Sequence, residues 1–168
     1  MLRPYRLLVT LLLQALAMLC ANAALAQAER PAVANHIAAE LIAANPTGPG
    51  TDVELALHFR PEPGWHGYWR NPGDAGLGMT LTWNVPRGAK VSPPRYPVPQ
   101  TLLIAGLMNH VYERDYAVLQ KLSVPADARQ DSELVVSVKA EWLACNPQIC
   151  VPESAVLSTV VKVHKMIP

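Results

Sequence analysis

Asp52-Val53-Glu54-Leu55-Ala56-Leu57-His58-Phe59-Arg60 sets Val53, Leu55, Leu57 and Phe59 on one side and Asp52, Glu54, His58 and Arg60 on the other. A repeat of two belongs to an extended chain, whose successive side chains leave opposite faces, so this stretch is a strand with one face buried. The same alternation recurs from Glu133 to Leu143, where Leu134, Val136, Val138, Ala140 and Trp142 oppose Val135, Ser137, Lys139 and Glu141. Met79 to Val85 repeats it with Leu81, Trp83 and Val85 on one side. His36 to Ala44, whose alanines also suit a helix, Trp65 to Arg70, Tyr116 to Val124 and Ala155 to Val163 complete the strand candidates. Turn chemistry separates them at 45–50, 61–64 and 71–76. Sixteen prolines and no amphipathic helical stretch make the fold class all-β, a sandwich of seven or eight short strands.

Between two of these strands, Pro86 to Gln100 holds five prolines and no ladder pattern, and an apolar run from Leu102 to Met108 follows. A compact fold rarely keeps so long an irregular segment unless it covers or presents a site.

The first 26 residues have the three parts of an export signal: Arg3 and Arg6, an apolar run from Leu7 to Leu19, and the small-x-small site Ala24-Leu25-Ala26. The run falls short of the about 20 residues that a membrane span needs. Cys20 would leave with the signal; its reading as a lipid-anchored cysteine meets Leu19, where such processing wants a small residue. A flexible lead-in at 27–35 and one folded domain at 36–168 follow, and the expected location is the periplasm. Removing Arg3 and Arg6 takes the formal charge from +1 to −1, which leaves no basic field for nucleic acid.

Cys145 and Cys150 are then the remaining thiols, at the ends of Cys-Asn-Pro-Gln-Ile-Cys between two β-patterned runs. A bridge across so small a ring gains only about 2 kcal/mol of chain entropy, against about 4.7 for a loop near a hundred residues. Chemistry therefore explains the pair better than scaffolding does, and it reads as a redox dithiol. A plain structural disulfide in an exported protein is the competing reading. A third gathers Cys145, Cys150, Met108, His66 and His110 as soft ligands for copper, although no local spacing supports a metal site.

Trp142-Leu143-Ala144-Cys145 through Cys150-Val151-Pro152-Glu153, with Gly64-Trp65-His66-Gly67-Tyr68-Trp69-Arg70-Asn71-Pro72-Gly73-Asp74, resembles the N-terminal periplasmic domain of the DsbD and ScsB thiol:disulfide reductases. The resemblance covers nearly the whole chain after the signal. It implies an immunoglobulin-like β-sandwich with a cysteine pair near one edge and no cofactor. It also implies a carrier of reducing equivalents, supplied by a membrane thiol reductase and passed to thioredoxin-like periplasmic proteins. Cys150 would form the mixed disulfide and Cys145 would resolve it, an order that the sequence alone does not rank. His66 and Tyr68 match aromatic positions beside the pair, and Tyr96 to Tyr112, which contains His110, matches a capping loop. The full reductases continue into membrane and thioredoxin domains that are not found before Pro168, so a free-standing form or a separately encoded membrane partner is expected. The alternative is an exported, non-enzymatic binding module with a structural disulfide, linked through ScsB to copper tolerance.

Exchange needs a thiolate to attack a disulfide sulfur and a second thiol to release the partner. No cation adjoins Cys150 in sequence to lower its pKa, which leaves His66 and His110 as candidates for activation in space.

Overall fold

A computed structural model describes residues 34–164. The expected export signal lies outside them, as does all but the end of the lead-in. Ten strands follow in order: β1 (Ile37–Ala43), β2 (Asp52–Pro61), β3 (Gly67–Gly73), β4 (Thr80–Asn84), β5 (Lys90–Val91), β6 (Gln100–Ile104), β7 (Leu107–Tyr112), β8 (Tyr116–Ser123), β9 (Ser132–Cys145) and β10 (Cys150–Val163). There is no helix among the described residues.

The strands form three antiparallel sheets, ordered β1-β2-β8-β5, β10-β9-β4 and β3-β7-β6. Val53, Leu55, Leu57 and Phe59 of β2 are buried together with Val136, Val138, Ala140 and Trp142 of β9 in one core. The alternating faces read from the sequence thus become the two inner faces of an immunoglobulin-like sandwich. Phe59 joins them: its ring stacks on Tyr116 at 5.0 Å and meets Trp142 edge-on at 5.4 Å. On β10 the inward residues are Ala155, Leu157, Val161 and Val163, while Val156 and Val160 face out.

Two stretches depart from the sequence reading. The expected turn at 71–76 begins inside β3, where β3 and β7 fall out of step between Tyr68, opposite Val111, and Gly73, opposite Asn109. Gly73 permits this at φ +93°, where a Cβ would collide with the Met108 carbonyl. The proline-rich segment does not cover a site along its whole length. Lys90–Val91 pairs with the end of β8, and Arg95 exchanges backbone hydrogen bonds with Leu119. An edge position tolerates prolines because no outer neighbour requires their missing N–H.

The apolar run after it is not a loop but the β6–β7 hairpin, closed by Ala105 and Gly106 with φ of 50° and 85°. Positive φ at both central residues is the tight hairpin turn that matches strand twist. This hairpin brings its tip to the cysteines.

Candidate functional site

The antiparallel register of β9 and β10 sets Cys145 directly opposite Cys150, with Cα atoms 4.1 Å apart and the sulfurs bonded. Asn146 closes the turn between them. Its Oδ1 accepts from the backbone N–H groups of Gln148 (2.8 Å) and Ile149 (2.9 Å), and its own N–H donates to the Ile149 carbonyl. Cys145 is further held by two backbone bonds with His66, N–H to O in each direction at 2.8 and 3.0 Å. The two sulfur-bearing residues are therefore unequal: Cys145 is 1% exposed, whereas Cys150 lies at the surface.

The alternation of β3 and β7 decides which neighbours reach the pair. Tyr68 and Val111, opposite one another, pack with Cys145 in a small apolar cluster that Leu102 and Leu143 flank. His66 lies on the same side of the chain as Tyr68, is buried, and meets its ring edge-on at 5.3 Å, with Nε2 3.3 Å from the hydroxyl. Gly76, at φ +91°, passes so close under the Tyr68 ring that a Cβ there would collide with it. On β7, Leu107, Asn109 and Val111 share the face toward the cysteines. A cavity of about 230 Å³ lies against the bridge, lined by Tyr68, Ile104, Leu107, Asn109, Ile149 and both cysteines.

His110 and Tyr112 take the other face of β7. His110 Nδ1 donates to the Asn71 carbonyl at 3.0 Å beside Trp69. Tyr112 stacks on Tyr116 at 4.1 Å and donates to the Pro97 carbonyl. Of the four supporting residues expected from the sequence, His66 and Tyr68 come to the pair, and His110 and Tyr112 do not. Tyr96 packs against the main core, so within 96–112 it is the β6–β7 hairpin and not the segment before it that borders the cysteines. Met108 and His110 leave the copper ligand set by the same alternation. Among the described residues no three His, Cys, Asp or Glu side chains form a metal-binding group.

A family model for the N-terminal part of the thiol:disulfide interchange protein DsbD matches residues 35–162. The chain belongs to this DsbD N-terminal family. Among solved structures, the N-terminal periplasmic domain of ScsB from Proteus mirabilis is 22% identical with a TM-score of 0.56; the match covers 74% of this chain and 46% of that one. The chain therefore spans less than half of that ScsB structure. The DsbD N-terminal domain of Neisseria meningitidis in its reduced form is 9% identical with a TM-score of 0.46, over 76% of this chain and 86% of that one. No curated protein matches. Asn109, which sequence reading passed over, sits in this DsbD-family chain beside the bridge, and the alternation of Leu107, Asn109 and Val111 is the signal that could have found it.

The DsbD-family site carries no charge in its cavity wall. Burial pushes the His66 pKa below the usual histidine value, against an opposing pull from Glu113, and burial also raises the Tyr68 hydroxyl. A depressed histidine pKa means that the unfolded chain binds more protons than the folded one between the folded value and about 6.5, so stability rises with pH across that window. The stability contribution is present above about pH 6.5 and is lost as pH falls through the folded pKa. Urea midpoints measured from pH 8 to pH 5 should fall on acidification, and His66→Gln should flatten that slope; an unchanged slope would remove His66 as its origin.

Proposed function

We propose that this domain is a periplasmic thiol:disulfide exchange module, carrying two electrons through Cys145 and Cys150 between a membrane thiol reductase and thioredoxin-like partners. The observation that supports it best is the asymmetry of the pair. Cys150 is the exposed residue of the pair and so the one a partner thiolate would attack, and the sulfur of buried Cys145 is then the group that departs. A donor thiolate attacks Cys150 and displaces Cys145. The donor's second thiol then closes its own disulfide and releases Cys150, which leaves the pair reduced by two electrons and two protons. Onward transfer reverses the roles: Cys150 attacks a partner disulfide, and Cys145 attacks Cys150 to free the reduced partner.

The surroundings suit a protein partner. Leu107 and Ile149 expose apolar side chains at the site, and no cation in the cavity wall pre-forms a thiolate. The deciding measurement is the reduction potential of the pair. An exchanging pair lies appreciably above about −300 mV, whereas a value below that makes the bond structural and the chain a binding module.

A further inference from the structure

The most unusual polar group near the bridge is one that exchange chemistry does not require. Asn109 is 1% exposed and stands in the wall of the cavity that both cysteines line. Its Nδ2 donates to the Leu107 carbonyl at 3.0 Å, which fixes the orientation of the amide, since a flipped amide would set two oxygens against each other. Its Oδ1 is buried and receives no hydrogen bond. A buried carbonyl without a donor is disfavoured, and the other groups that share this cavity with it are almost all apolar or already engaged. The position is not accidental packing of a surface residue. Asn109 lies opposite Gly73 in the sheet and is followed on the same face by Val111, which packs with Tyr68 and Cys145.

Reduction changes this balance. When two thiols of a small reductant convert the bridge to two cysteine thiols and are themselves joined as a disulfide, the cavity gains S–H donors that the oxidised form lacks. We propose that Asn109 is a positioning residue whose carboxamide oxygen accepts a thiol hydrogen bond in the reduced state, so that the dithiol form is favoured and the pair made more oxidising. This rests on the exchange reading above, but its consequence is measurable without any protein partner. Because the acceptor favours S–H over S⁻, it acts on the equilibrium of the pair and not by pre-forming a nucleophile.

The test is the equilibrium of the intact protein with reduced and oxidised glutathione. Asn109→Leu, similar in volume and without the acceptor, should shift that equilibrium toward the disulfide by about fivefold, a lowering of the potential of about 20 mV at roughly 30 mV per tenfold. A merely structural role predicts loss of stability in both redox states and an unmoved equilibrium; that result, or a shift under twofold, overturns the proposal. Should Asn109→Leu fold poorly, the infrared S–H stretch of the reduced native protein decides. It should lie below that of a free thiol and return to the free position in Asn109→Ala, and a native stretch already at the free position overturns the assignment. If the native pair exchanges with glutathione but with no thioredoxin-like protein, the function proposed above fails while the role of Asn109 stands.

Discussion

Cys145→Ala should accumulate mixed disulfides through Cys150, while Cys150→Ser should abolish exchange with protein partners. The difference follows from burial. In Cys145→Ala the exposed thiol still attacks a partner disulfide, but nothing inside the molecule can displace the partner, so the covalent complex persists. In Cys150→Ser the remaining thiol belongs to a residue that is 1% exposed and packed against Tyr68 and Val111, and the rate should fall at least about a hundredfold because attack needs an in-line path to sulfur. Neither change should unfold the sandwich. The six-residue ring is worth about 2 kcal/mol of chain entropy, and the main core does not include the pair. Non-reducing electrophoresis with mass spectrometry of the trapped species reads the result. Exchange surviving in Cys150→Ser, or Cys145→Ala yielding no covalent complex with thioredoxin-like proteins, would contradict the assignment of roles.

What could be read from the sequence and what could not divides along a physical line. The strands at 52–60 and 133–143 were legible because each buries one face and exposes the other, so their period shows in composition. The hairpin of β6 and β7 was not, because its turn is Ala105-Gly106 rather than an Asn-Gly or Asp-Gly pair, and its apolar residues face a shallow secondary cluster. That omission carried over to the site. Without a strand over 107–112 there is no alternation to separate His110 and Tyr112 from Asn109 and Val111. The cysteine hairpin itself was readable, since two β runs converge on it. The inequality of its two sulfurs was not, because it comes from a bridge to His66, far away in sequence.

Glu153→Ala should destabilise the fold by about 4 kcal/mol. Glu153 closes the motif that carries the family resemblance, and it occupies an inward position of β10, in phase with Ala155, Leu157 and Val161. A carboxylate is found there only if its oxygens are satisfied. Oε2 accepts from Trp142 Nε1 at 2.9 Å and from the Ile37 N–H at 3.2 Å, and Oε1 accepts from the His36 N–H at 2.6 Å. One side chain thus ties the start of β1 to β9 and β10, three residues beyond Cys150. Truncation to alanine leaves three donors facing a void, two of them backbone groups that no rotamer change can relieve. Glu153→Gln should lose less, because one oxygen remains, but it cannot be neutral: its amide hydrogens would point at groups that also donate. Urea unfolding at neutral pH measures both. The expected order is native, then Gln, then Ala, with the thiol equilibrium of each folded variant unmoved; a loss below about 1 kcal/mol in Glu153→Ala would mean that the junction of β1 with the cysteine-bearing sheet is held by apolar packing alone.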